Sequence, residues 1–241
     1  TGMLWDGADG GSLENAYDSF GARTFITPFG ENVNTYDPFA TEIDEFLNEH
    51  REAALIVPSG NNGMDADADG IADPGTVQKL ATAKNAITIG ASGSPDDWGA
   101  AGNVNDLERA GFSGTGPAGA TNRISPILVA PGQERGATGV NAEYACRSQD
   151  NDNGGAVVCD QVSTKAGTSF AGANAAGAAM LIRDYFAQGL YPDGTSQNDT
   201  NGDDIVPQIS GALVTAVMIN SAEYLGVAYN EMGLYEDAIE E

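Results

Sequence analysis

The 241-residue chain carries 35 acidic against 10 basic side chains, a formal charge of −25. So acidic a surface repels phosphate backbones and anionic lipid, which sets nucleic acid and membranes aside as partners; no apolar run reaches the length of a membrane span. The length suits one large α/β domain or two small ones, and Thr1-Gly2-Met3-Leu4-Trp5 lacks the basic and apolar regions of a signal peptide, as expected of a mature or processed piece.

Residues 11–21 read as a short helix: Ser12 starts it, Leu13, Ala16, Tyr17 and Phe20 share a face, and Gly21 stops it. A strand over 23–28 follows, rich in β-branched and aromatic residues and ending at Pro28-Phe29-Gly30. A second helix is expected over 41–52, with a capping-box-like Thr41 and Asp44 and apolar Ile43, Phe46 and Leu47. The continuous apolar run Ala53-Ala54-Leu55-Ile56-Val57-Pro58 is that of a strand covered on both faces, as in a parallel sheet. Helix, strand, helix, strand is a doubly wound pattern.

The turn Ser59-Gly60-Asn61-Asn62-Gly63 leaves that strand at its carboxyl end, where open α/β sheets place their ligand crevice. An Asn between glycines there can donate its side-chain amide to a substrate oxygen, or it can simply make an Asn-Gly turn. Next comes Met64-Asp65-Ala66-Asp67-Ala68-Asp69-Gly70, with Asp73 beyond. Alternating carboxylates at Asp65, Asp67 and Asp69 with a glycine at the sixth position match the first half of a calcium loop, and Asp73 completes the expected Ca2+ ligands; Thr76 at the twelfth position excludes a full EF-hand. A solvated acidic loop is the alternative.

Further strands are expected over 85–91 and 124–131. Residues 132–164 turn polar and Gly-rich, an excursion from the sheet that contains Cys146 and Cys159, the only cysteines. Thirteen positions apart, they suit a local disulfide in an oxidising compartment, worth about 3 kcal/mol in the chain-entropy account; two free thiols are the alternative. Residues 168–188 form one long helix whose core face is lined by alanines and Leu181, with Phe186 near its end. A last amphipathic helix over 207–225 starts at Pro207 and carries Ile209, Leu213, Val217 and Met218; an acidic tail, about 226–241, follows. The whole of 1–241 is taken as one domain.

The long helix opens on Gly167-Thr168-Ser169. A serine at a helix N-terminus sits where backbone N–H groups and the dipole favour developing negative charge, which suits a nucleophile. A hydroxyl there can equally be a plain helix cap.

Taken in order, the apolar strand, Gly60-Asn61-Asn62-Gly63, Ile87-Thr88-Ile89-Gly90-Ala91, Val129-Ala130-Pro131-Gly132 and Gly167-Thr168-Ser169-Phe170-Ala171 resemble the subtilisin-like serine proteases, the subtilases, and most of all longer bacterial secreted members. The resemblance covers roughly residues 12–225. It implies an α/β, three-layer fold, a mostly parallel sheet flanked by helices and incomplete at its N-terminal side. It also implies a secreted endopeptidase acting on polypeptides, with Ser169 as nucleophile, Asn61 as oxyanion-hole donor, and Phe29-Gly30 and Ser59-Gly60 framing the specificity pocket. Structural calcium is common in the family.

Three departures matter. Ala171-Gly172-Ala173 replaces the usual Ala-Ser/Thr-Pro after the nucleophile, and Pro28 stands where a serine usually precedes the pocket's aromatic residue, removing a donor and a hydroxyl. Neither the aspartate nor the histidine motif of the family's triad is present. The single histidine, His50, precedes the strand whose far end carries Asn61, on the order of 20 Å away, and reads as a solvated or helix-terminal residue. A serine without a base is scarcely nucleophilic at neutral pH. The expectation is therefore a protease component completed by an N-terminal segment or chain that supplies Asp and His; the alternative is a catalytically inactive, calcium-stabilised binding or structural module.

Overall fold

The computed structural model describes residues 12–63, 66, 73–93, 109–119, 123–133, 140–142, 163–196 and 204–223. Four parallel strands, β1 (Thr24–Ile26), β2 (Ala54–Pro58), β3 (Ile87–Gly93) and β4 (Leu128–Gln133), lie side by side in chain order. Their register sets Phe25 beside Leu55, Val57 beside Thr88 and Ile89 beside Leu128. A separate antiparallel pair, β5 (Val140–Ala142) and β6 (Ser163–Lys165), joins the two ends of the polar excursion. Both cysteines and the acidic tail lie outside the described residues.

Every residue of β2 is buried, and the strand's two-residue period splits its side chains between two cores. Leu55 and Val57 face α2 (Pro38–Glu49), packing with Phe25, Ile43, Phe46 and Leu47 and with Leu13 and Tyr17 of α1 (Ser12–Asp18). Ala54 and Ile56 face the opposite layer, where Ala171, Ala175 and Ala179 of α3 (Thr168–Ala187) and Val214 and Met218 of α4 (Gly211–Ser221) complete the second core. Helix, sheet and helix make the three-layer α/β arrangement. Among the described residues no helix is long and apolar enough to cross a membrane.

Several expected boundaries move. The second helix begins at Pro38, not Thr41: Asp37 accepts from the Ala40 N–H at 3.1 Å, and Pro38 fits a first turn that needs no donor. Asp44 is no capping residue. It is buried, and its carboxylate accepts from the Lys84 and Asn85 N–H groups at 2.7 Å and from the Tyr36 hydroxyl at 2.9 Å. The last helix starts after a Ser210 cap on the Leu213 N–H, leaving Pro207 outside it. Leu181 is also corrected: it is 72% exposed, and the inner face of α3 is alanine with Phe186. Small residues win that face because the helix lies close on the sheet. A Cβ at the buried Gly172 would come within 3.3 Å of Pro58 and Ile26 side-chain atoms.

Arg183 ties the far end of α3 to the amino ends of the strands. Its guanidinium donates to the Arg23, Glu52 and Ile209 carbonyls and to the Thr24 hydroxyl. Burial first, then the neighbouring Arg23, pulls its pKa below the ordinary arginine value. Arg183→Met is expected to lower unfolding free energy by about 2 kcal/mol, since charge-assisted bonds to partly buried carbonyls are lost and only the methylene packing is retained. Chemical denaturation of the two proteins checks this; an unchanged midpoint would show that the carbonyls are satisfied without the guanidinium.

Candidate active site

Thr168, the neighbour of Ser169, and the Asn61 side chain, 107 residues apart in sequence, meet because β2 ends and α3 begins at the same edge of the fold. Gly60 lets the chain turn sharply off β2: its φ is +103°, a region that favours glycine, and a Cβ there would stand 3.0 Å from the Gln78 Cβ. Ser59 and Gly60 are buried. The Ser59 carbonyl accepts from the Gln78 N–H at 2.7 Å, its hydroxyl faces that of Ser113 at 3.3 Å, and the Gly60 carbonyl accepts from the Gly114 N–H. These two residues thus fix the turn from beneath, whereas Phe29 and Gly30 are exposed beside it.

Asn61 is held by one end only. Its Oδ1 accepts from both the Thr168 N–H and the Thr168 hydroxyl, each at 2.9 Å. An amide so anchored through its oxygen must present its NH2 outward. Among the described residues no acceptor is recorded for that nitrogen, nor for the Ser169 N–H next to Thr168. The plain Asn-Gly turn is therefore insufficient as an account of Asn61. The helix-cap account of the hydroxyls also fails: the N-cap of α3 is Gly167, with no side-chain cap bond.

Ser169 sits in the first turn of α3, partly exposed, and its Oγ donates to the Pro28 carbonyl at 2.7 Å. The helix start is fixed by the carboxyl end of β4, since the Gly167 N–H donates to the Gly132 carbonyl and the Asn174 amide to that of Pro131. Asn174 and Thr168 are the positioning residues that motif reading passed over. Thr168 was visible as the second residue of Gly-Thr-Ser, but its partner was not.

His50 is the one histidine in the sequence, and it lies at the opposite end of β2 from Asn61. It is the C-cap of α2, as the helix-terminal reading expects, rather than simply solvated: its Nε2 is 2.8 Å from Glu14 Oε2, and its ring packs on Tyr17 and Phe46. Of the expected calcium ligands, Asp65, Asp67 and Asp69 lie outside the described residues. Asp73 is described, and its Oδ2 accepts from the Ala66 N–H at 2.9 Å.

A hydroxyl at a helix start, with two uncommitted N–H donors beside it, can attack a carbonyl and hold the resulting oxyanion. The family model described as the Subtilase family matches residues 12–233. The chain belongs to the subtilase family. Membership places it among serine peptidases, and the parallel sheet with helices on both faces is the α/β arrangement expected of a subtilase.

Relatives outside the family description are distant. Two proteins of Dictyostelium discoideum, the serine protease/ABC transporter B family proteins tagD and tagB, are 32% identical over 117 residues and 31% identical over 130 residues. Those stretches cover 47% and 52% of this chain but only 6% of either relative. Among solved structures, Sphericase is similar at a TM-score of 0.49 and 16% identity, covering 86% of this chain and 51% of its own. The prenylagaramide maturation protease PagA is similar at a TM-score of 0.47 and 16% identity, covering 88% of this chain and 66% of its own.

Proposed function

We propose that this subtilase chain is the nucleophile-bearing part of a secreted serine endopeptidase. Ser169 attacks the scissile carbonyl of a polypeptide, and the Asn61 amide and the Ser169 N–H hold the oxyanion. The observation that carries the reading is the Thr168 clamp on Asn61, which orients an amide donor toward the neighbourhood of Ser169. The oxygen of Asn61 serves the fold by satisfying Thr168 at the start of α3, and the NH2 is left over from that part.

The base comes from elsewhere. Ser169 donates its proton to a backbone carbonyl, and the sole histidine is held by Glu14, so the triad Asp and His belong to an N-terminal segment or companion chain. Two further observations support a partner at this edge. β1 pairs only with β2 among the described strands, and Thr27, next to the carbonyl that receives Ser169, buries its hydroxyl with no hydrogen-bond partner among the described residues. Such an orphan costs about 1–3 kcal/mol until something satisfies it.

Calcium belongs to the same reading, held by Asp65, Asp67, Asp69 and Asp73 as a structural ion. Asp73 already turns back onto Ala66 in the middle of that acidic run, which suits a loop wrapped around a cation. The ion takes no part in acyl transfer.

The test is fluorophosphonate labelling read by peptide mass spectrometry. Ser169 is expected to be modified when the companion segment is present and to stay unmodified in its absence. If Ser169 remains unlabelled with the companion bound, the inactive-module reading takes its place; the parking of the hydroxyl on Pro28 and the commitment of His50 to Glu14 already favour that second reading for the chain in isolation.

A further inference from the structure

The only histidine of the chain lies outside the acyl-transfer site, in a cluster no part of that chemistry uses. Glu14 on α1 and Glu49 and His50 at the end of α2 bring one ligand atom each to within 4.8 Å of one another. We propose that these three side chains hold a divalent first-row transition-metal ion, with zinc as the simplest occupant, which staples α1 to α2.

The imidazole is prepared for such a role. Its ring is held against Tyr17 at 4.1 Å and Phe46 at 4.8 Å between centroids, so the direction of Nε2 is fixed toward Glu14. Ligand atoms bound to one zinc ion at ~2.0–2.2 Å lie up to about 4 Å apart, so the cluster needs only small side-chain adjustments to close on it. A mixed imidazole and carboxylate set suits zinc, cobalt, nickel or manganese, whereas calcium prefers oxygen ligands alone.

Charge points the same way. The Glu14 and His50 contact alone is an ordinary side-chain hydrogen bond, but Glu49 adds a second carboxylate at the negative end of α2, whose last turn holds no basic side chain. The neighbouring arginines are directed elsewhere. Arg23 lies over the Tyr17 ring and donates to Glu52 and to the Tyr17 and Ala22 carbonyls, and Arg51 lines a groove with Asn85 and Ser210. A dication on the cluster offsets the two carboxylates. It also gives α1, seven residues long and too short to persist unaided, a fixed attachment.

The experiment uses the whole chain with zinc chloride as the probe, titrated calorimetrically and followed by thermal unfolding. The expected result is a saturable zinc-dependent rise in Tm, with affinity reduced more than about tenfold in Glu49→Gln, Glu14→Gln and His50→Gln. Glu49 is exposed, so its variant reports binding without a folding defect. Cobalt supplies a second readout: its visible absorption in the parent protein should be lost in His50→Gln. Zinc could also meet the acidic loops or the cysteines, so zinc binding of unchanged affinity and stoichiometry in all three variants overturns the proposal. No zinc binding by the parent protein at millimolar concentration overturns it equally.

Discussion

On the proposed function, Ser169→Ala is expected to lower turnover by about 10⁶-fold, the scale seen when a nucleophile that works as a unit with its base is removed. The reasoning begins with the hydroxyl's place rather than its type. Ser169 stands in the first turn of α3, where the orphan N–H groups and the dipole stabilise negative charge on an attacked carbonyl, and the adjacent Thr168 hydroxyl is committed to Asn61. The fold should hardly notice. The bond to Pro28 is made at the surface, and an exposed substitution of this kind shifts stability by about 0.5 kcal/mol or less. Hydrolysis of a chromogenic peptide by the two proteins, each with the companion segment bound, decides the matter; residual turnover of the variant above about one part in a thousand would move the nucleophile elsewhere.

The second large effect belongs to Asn61. Asn61→Ala should reduce kcat about 10²–10³-fold with little change in KM, because the lost donor acts on charge that exists only in the transition state. Asn61→Asp makes the sharper comparison: it keeps an oxygen for the two Thr168 donors and removes the NH2, so it should fall by a similar factor while keeping its stability. Thr168→Val should cost about tenfold, since it removes one of the two bonds that aim the amide. In the Asn61→Ala background that cost should vanish, for there is then no amide to aim. Additive losses in the double variant would mean that Thr168 acts on substrate independently of Asn61.

What could be read from the sequence divides along a physical line. The β2 run was legible because burial on both faces leaves an unbroken apolar string, and Gly-Asn and Gly-Thr-Ser were legible because a sharp turn and a helix start need particular residues. The start of α2 was misplaced because two cap signals lie four residues apart, at Asp37 and Thr41, and only the fold shows that Asp44 is needed for the Lys84 and Asn85 N–H groups. Leu181 was turned inward by the ordinary rule that the largest apolar side chain faces the core. The rule fails where a helix approaches its sheet so closely that only alanine and glycine fit between them. The Thr168 clamp joins residues 107 positions apart, and no periodicity in either segment encodes it.

The alternation along β2 bears on how such an enzyme can diversify. Leu55 and Val57 answer to one core and Ala54 and Ile56 to the other, so each change in the five residues that deliver Asn61 must satisfy a layer already filled. Pro28 and Phe29 are exposed, with one carbonyl at the nucleophile, and their side chains can be exchanged without repacking either core, whereas a Cβ at Gly30 would run into the buried Gln78 side chain. On the proposed function, a change of substrate preference is therefore expected to be made more easily in that short surface segment than in the strand behind it.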